Sequence, residues 1–238
     1  MDNYFFHKSL FSSTENFEQI IIVDGCYLSA EALRAFSLEY IKVSFFKRLS
    51  YFSELPLALS EIPERKVLLI IEMYTEKENF TEGLKWLSQL AKYRSLGLKL
   101  LVFTGISEPL LLRSIISCSP SAIVMRSEKI EELDYSIHCS GKPCPGVHLS
   151  QGVTEILLNN KEIHLTIREI QWLHTQIDGF DLCSSAAFLG ISYKTAASIR
   201  RNVIKRLGCN SNTLAQWISG MREQTGAGLR GWKLIEKN

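Results

Sequence analysis

Along the first 140 residues, short apolar runs alternate with stretches in which apolar residues recur every three or four positions. The runs are Ile20 to Val23, Ile41 to Phe45, Val67 to Ile71, Leu98 to Phe103 and Ala122 to Met125. The spacing between them predicts helices over about Ser29 to Tyr40, Phe52 to Leu59, Glu82 to Tyr93, Glu108 to Ile116 and Glu128 to Ile137. Short continuous apolar strands between amphipathic helices imply a parallel sheet covered on both faces. The expected fold is therefore a flavodoxin-like, doubly wound α/β domain of five β/α units. Any chemistry in such a sheet belongs at the C-terminal ends of its strands.

Beyond Lys161 the pattern is helical throughout. Thr166-Ile167-Arg168-Glu169 is a capping box, which starts a helix through Ile170, Leu173 and Ile177 to a stop at Gly179. Asp181 is an N-cap for a short second helix carrying Ala186 and Leu189, and Gly190-Ile191-Ser192 supplies a turn whose Ser192 caps the next helix. That third helix, Tyr193 to Leu207, holds five cations and no acid. A fourth begins at Ser211 and carries Leu214, Trp217, Ile218 and Met221. The fold class is thus α/β followed by an all-α helix-turn-helix unit of four helices.

Winding Tyr193 to Leu207 at ~100° per residue puts Ala196, Ile199, Val203 and Leu207 on one side and Lys194, Ser198, Arg201 and Lys205 on the other. One face packs, and the other is free to meet phosphates. A basic surface helix with no ligand has the same wheel, so the surrounding charge matters. Residues 161–238 carry 11 Lys or Arg against 6 Asp or Glu, a net of +5, whereas residues 1–160 are at −3. The whole-chain value of +2 hides this division between two parts.

The segment Leu165 to Ile218 resembles the C-terminal DNA-binding domain of the LuxR/FixJ family. The matching residues are Leu165-Thr166-x-Arg168-Glu169, Gly179, Ala186-x-x-Leu189-Gly190-Ile191-Ser192, Thr195 and Leu207-Gly208. Two positions depart from the family: Ser185 stands where Ile is usual, and Ile199 where many members have His. A buried Ser185 would need a hydrogen-bond partner. The resemblance implies groove and nearby backbone contacts from Ala197, Ser198 and Arg201, with Lys194, Thr195, Arg200 and Lys205 as phosphate or flanking contacts to double-stranded promoter DNA. Cations supply salt-dependent affinity that is blind to sequence, while Ser198 or Arg201 on a base edge would discriminate.

At the strand ends of the first part stand Asp24-Gly25, Glu72, Thr104-Gly105 and Arg126. This pattern resembles the receiver domain of response regulators, where an acid pair and an aspartate hold Mg²⁺ and accept phosphate while a hydroxyl and a lysine sense it. Here the acid pair is reduced to Asp24, the acceptor position carries Glu72 and the lysine position Arg126; Thr104 matches. Losing one carboxylate and lengthening another should weaken octahedral Mg²⁺ coordination and in-line placement, so no efficient aspartyl-phosphate chemistry is expected. Two readings of Glu72 stay open: an imitation of a phosphorylated aspartate held by Arg126, or a drifted residue without a role.

A degenerate receiver joined to a LuxR-type reader is similar to the regulators around the Rcs phosphorelay of enteric bacteria, the RcsB, RcsA and BglJ-like group. The Lys194-Thr195-Ala196-Ala197-Ser198 and Lys205-Arg206-Leu207-Gly208 runs carry that similarity. It implies a transcriptional regulator that works as a homodimer, or as a heterodimer with an RcsB-like response regulator, without phosphorylation. An alternative is an interaction protein that captures and redirects or inhibits a partner regulator with little DNA reading of its own. The expected domains are a receiver-like unit over 1–139, a linker over 140–160, the helix-turn-helix domain over 161–222 and a tail over 223–238.

The remaining features exclude more than they add. No Gly-rich phosphate loop follows Val23 and no nucleophile and base stand at a recognisable spacing, so no enzyme activity and no cofactor are expected. Of six cysteines (Cys26, Cys118, Cys139, Cys144, Cys183 and Cys209), only Cys139 and Cys144 cluster with histidines, His138 and His148. Metal sites usually show closely paired ligands, so reduced cytoplasmic thiols are the simpler reading. No apolar run approaches the ~18 residues of a membrane span, and Met1 to Gln19 lacks the basic start and apolar core of a signal peptide. Phe5, Phe6, Leu10 and Phe11 suggest an extra N-terminal helix.

Overall fold

The computed structural model describes residues 17–41, 43, 45–60, 66–90, 97–139, 146–160 and 163–225. The suggested helix around Phe5 to Phe11 therefore lies outside the described residues, as does Cys144. Six parallel strands form one sheet in the order β2-β1-β3-β4-β5-β6. They are β1 (Gln19–Val23), β2 (Phe45–Leu49), β3 (Val67–Ile71), β4 (Leu98–Thr104), β5 (Ala122–Met125) and β6 (His148–Leu149). The crossovers carry α1 (Tyr27–Phe36), α2 (Leu55–Ser60), α3 (Phe80–Leu90), α4 (Pro109–Ser117) and α5 (Ile130–Cys139), and α6 (Gln151–Asn159) follows the last strand.

Strand periodicity divides the core. Ile20, Ile22, Leu68, Ile70, Leu101 and Val124 point to one face, where Ala30, Leu33 and Phe36 of α1 and Leu133 and Ile137 of α5 cover them. Ile21, Val23, Leu69, Ile71, Leu100, Val102 and Ile123 point to the other, with α2, α3 and α4. Burial on both faces explains why these strands read as unbroken apolar runs. Close packing also fixes a residue type: a Cβ on Gly83 would stand 2.1 Å from the Met73 carbonyl oxygen, so α3 reaches the end of β3 only with glycine there.

Two expectations are corrected. The second strand is Phe45–Leu49 and not Ile41 to Phe45. A π-helical turn, Ser37–Ile41, prolongs α1, with the Ser37 hydroxyl donating to the Leu33 carbonyl, and Ile41 packs into the core among the α1 and α5 residues. The true strand lies at the sheet edge and carries Lys47 and Arg48, so it lacks an apolar run. The sheet also has a sixth strand beyond the five β/α units, formed within the segment read as linker. The His148 N–H donates to the Ser121 carbonyl and the Ser150 N–H to the Ile123 carbonyl, each at 3.0 Å. Glu128 ties it down by accepting the N–H groups of Met125 and Gly152 and the Ser150 hydroxyl. A strand of two residues leaves no periodicity to read.

The C-terminal unit consists of α7 (Ile167–Ile177), α8 (Leu182–Phe188), α9 (Tyr193–Leu207) and α10 (Ser211–Gln224). Trp172, Leu173, Ile177, Ile199, Val203, Leu214, Ile218 and Met221 continue the core on the α3 and α4 side of the sheet. The fold class is that expected: a doubly wound parallel sheet followed by a four-helix unit. Among the described residues no helix is long and apolar enough to cross a membrane.

Candidate nucleic-acid interface and receiver-like pocket

Side-chain caps set the geometry of the helix-turn-helix. Thr166 Oγ1 accepts the Glu169 N–H at 3.3 Å while Glu169 Oε2 accepts the Thr166 N–H at 2.7 Å, completing the capping box of α7. Asp181 Oδ1 accepts the Ser184 N–H at 2.6 Å at the start of α8. Gly190, at φ +63°, makes the left-handed turn into α9, where Ser192 Oγ accepts the Thr195 N–H at 3.1 Å. Ser185 is fully buried and accepts hydrogen bonds from Thr175 Oγ1 (2.8 Å) and Gln176 Nε2 (2.6 Å), so its polar group costs little.

Ala196, Ile199 and Val203 of α9 are buried; Lys194, Thr195, Arg200, Arg201 and Lys205 are exposed, and Ala197 and Ser198 half-buried. Helical winding gathers Lys194, Ser198, Arg201 and Lys205 on one side, with Ala197 beside them. Arg200 stands apart, about 40° round the helix from buried Ala196. The Thr195 hydroxyl is 2.8 Å from that of Ser192 and so belongs to the cap. Arg206 is also committed internally, with Nε donating to Glu169 Oε1 at 3.0 Å and Nη1 to the His164 carbonyl at 3.3 Å. Among the described residues, Lys194, Arg201 and Lys205 have no acidic partner. The result is a rigid helix presenting uncompensated positive charge around one hydroxyl.

The four strand-end residues converge. Asp24 and Glu72 are nearly fully buried at the ends of β1 and β3, and Arg126 reaches both from the end of β5. Its Nη2 donates to Asp24 Oδ2 at 2.5 Å, and its Nε lies 2.9 Å from Glu72 Oε2. That N–H is directed at the Phe103 carbonyl (3.4 Å), so the Glu72 contact is an attraction of charges without an aligned hydrogen bond. Thr104 Oγ1 and the Met73 N–H each donate to Glu72 Oε1 at 2.7 Å, and the Cys26 N–H donates to Asp24 Oδ1 at 2.8 Å. Burial pushes the Glu72 carboxyl above the usual carboxylate range, against the opposing pull of Arg126 and its two hydrogen-bond donors.

This arrangement does not fit Mg²⁺. Two carboxylates are present, both face a guanidinium, and no group of three potential ligands occurs among the described residues. In the other cluster considered for metal, His138 Nδ1 lies 3.3 Å from Asp134 Oδ1 and His148 packs edge-on against Tyr135.

Sequence reasoning missed the seam between the sheet unit and the helical unit. Gln224 Oε1, at the end of α10, accepts the N–H groups of Ser107 (2.9 Å) and Glu108 (3.0 Å) at the start of α4. Trp217 Nε1 donates to Glu108 Oε2 at 3.1 Å. His174 of α7 lies 3.3 Å from the Ser114 hydroxyl and packs edge-on against Phe80, and burial pushes its pKa down to about 4. The apolar spacing of α10 marked Trp217 as a packing residue, but no sequence signal linked Gln224 or His174 to α4.

No family model matches the chain, and no curated protein matches it significantly. Solved structures do. RcsB from Salmonella enterica serovar Typhimurium, bound to a promoter in the presence of phosphomimetic BeF3−, superposes with a TM-score of 0.64 at 19% identity, covering 86% of this chain and 99% of that one. The RcsB response regulator of Salmonella typhimurium gives 0.61 at 19%, covering 87% and 98%. A structure of two RcsB dimers bound to two parallel DNAs gives 0.58 at 18%, covering 86% and 98%. At such identity the likeness concerns architecture: this chain has the fold of RcsB-type response regulators over most of its length.

Proposed function

We propose that this protein is a sequence-specific DNA-binding transcriptional regulator that works by assembly with another chain and not by phosphorylation. The reading rests above all on α9, whose capped frame holds Lys194, Arg201 and Lys205 exposed around Ser198, with no acidic partner among the described residues. In this reading Arg201, Ser198 and Ala197 meet base edges and nearby backbone in the major groove, Lys194 and Lys205 neutralise phosphates, Thr195 fixes the helix start, and Arg200 lies at the flank. The solved RcsB complexes with DNA, on the same architecture, are in keeping with it.

The second half of the reading rests on Arg126. A cation already bridges Asp24 and Glu72, which argues against a metal cradle, and the acceptor position carries Glu72 in place of an aspartate. The protein is then a non-enzymatic regulator of the bacterial cytoplasm and nucleoid, with domains over 1–139 and 161–222 and a connection over 140–160 that also supplies the sixth strand of the sheet, His148–Leu149. The departures at Glu72 and Arg126 from the receiver pattern are what support a place beside RcsA and BglJ-like regulators. One recognition helix gives a small interface, so a homodimer or a heterodimer with an RcsB-like regulator supplies the second half-site.

Chromatin immunoprecipitation with and without partner regulators, paired with promoter-fragment shifts of purified protein at several salt concentrations, tests both halves. Salt-dependent binding that Arg201→Ala removes is expected. Full regulation by Arg201→Ala with no DNA shift would instead favour capture of a partner regulator, for which exposed Tyr27, Leu28, Leu38 and Phe45 on the α1 and β2 side offer an apolar surface.

A further inference from the structure

The helical unit contains a cleft that the DNA reading leaves unused. It has a volume of about 260 Å³, opens between α7, α8, α9 and α10, and is lined in part by Trp172, Leu182, Arg200, Leu214, Ile218 and Arg222. Trp172 lines it from the core side: the residue is 1% exposed, and its indole N–H is buried without a hydrogen-bond partner. A donor left in that state is costly, and native interiors rarely tolerate one. Arginines stand on two sides of the cleft, and among the described residues no acid lines it. Arg222 uses its Nε and Nη2 on the Gln176 carbonyl at 2.9 and 2.6 Å, two of its five N–H donors. Arg200 is exposed and has no acidic partner among the described residues.

Two guanidinium groups, a buried unpaired N–H and walls of leucine and isoleucine define one kind of occupant: a small molecule with an oxyanion group and a modest apolar body. We infer that the cleft binds a small organic oxyanion, a carboxylate or phosphate ester, held by Arg200 and Arg222 with the Trp172 N–H as a further donor. Guanidinium groups suit both oxyanions because their planar forks match paired oxygens. A DNA backbone phosphate has the same chemistry, but Arg200 lies about 100° round α9 from Arg201 and close to the buried stripe. A duplex on the Arg201 face would not present its backbone to this cleft. Because α9 contributes Arg200 and α7, α8 and α10 the rest, an occupant would brace the recognition helix against its support.

The test uses the full chain without DNA. Thermal unfolding is followed while inorganic phosphate or citrate is added, against sodium chloride at matched ionic strength. A saturable rise in midpoint beyond the chloride control is expected, because a ligand of the folded state stabilises it by mass action. Arg200→Gln, at an exposed position, should weaken the apparent affinity about tenfold, the loss of one charge-assisted hydrogen bond. Trp172→Phe, which keeps the ring and removes the N–H, should weaken it as well; should that variant fail to fold, Arg200→Gln decides alone. A rise no larger than with chloride, or one unchanged in Arg200→Gln, overturns the inference. So does a DNA-binding salt slope that Arg200→Gln reduces by about one with no free-anion effect, which would assign the site to backbone phosphate. Since these titrations contain no DNA, their outcome is separable from failure of the proposed regulatory role.

Discussion

Two charged regions of this molecule are opposites in how their charge is answered. At the C-terminal ends of the strands, Asp24 and Glu72 are buried and met by Arg126, Thr104 and backbone N–H groups. On α9, Lys194, Arg201 and Lys205 face outward with no acidic partner among the described residues. A charge matched inside its own chain has little left to offer a ligand, whereas an unmatched cation on a rigid helix attracts phosphates over a Debye length. Arg206 marks the boundary. It belongs to the same helix, but Glu169 and the His164 carbonyl hold it, which makes it a strut between α7 and α9.

The sharpest way to break this contrast is to unbalance the buried pocket. Arg126→Ala strands two carboxylates and should destabilise the fold by about 3–5 kcal/mol in urea titrations at neutral pH. It should also raise the Glu72 pKa further, observable by carboxyl NMR titration. Little loss of stability would mean that the pocket is solvated and its charges were never balanced internally.

A second test concerns His174 at the seam. Its folded pKa of about 4 lies below the ordinary value of 6.5 because burial disfavours the charged ring. The unfolded chain therefore binds more protons between these values, and stability falls as pH drops from about 6.5 to about 4, by on the order of 3 kcal/mol in total. Glu72 acts with the opposite sign: its raised pKa gives stability at low pH that is lost as pH rises. Comparing the wild type with His174→Asn isolates the histidine, and the variant should show a flatter acid limb in thermal scans.

On the exposed side, Arg201→Ala should cost about 1–3 kcal/mol of specific DNA affinity and relax discrimination, while Lys205→Ala should weaken all duplexes alike and lower the salt slope by about one. Fluorescence anisotropy with matched and scrambled promoter fragments separates the two. Both variants should melt like the wild type, which is the counterpart of the Arg126 prediction. The smallest effect is expected at the seam. Trp217→Phe removes the donor to Glu108 and should lower stability by about 1 kcal/mol, with DNA affinity unchanged.

Much of this is legible in the sequence alone. Thr166, Glu169, Asp181 and Ser192 announce their caps because capping acts over three residues. Ser185 was marked as a polar group in need of a partner, and Thr175 and Gln176 supply it from the preceding helix. Asp24, Glu72, Thr104 and Arg126 could be gathered because a parallel sheet aligns the ends of its strands. The misses came where local pattern is weak. β2 carries Lys47 and Arg48 at an edge, and β6 is two residues long.

The sequence by itself determined the kinds of element, their order, the caps of the helical unit and the apolar stripe of α9, since each depends on neighbours within a few residues. Tertiary structure decided which charges cancel. Arg126 meets Asp24 across 102 positions, Arg206 meets Glu169 across 37, and Gln224 reaches the start of α4 across more than a hundred. Periodicity carries no information about such pairings. They arise only when burial of the core brings distant segments together, and the cations left over on α9 are those for which the described residues provide no acidic partner.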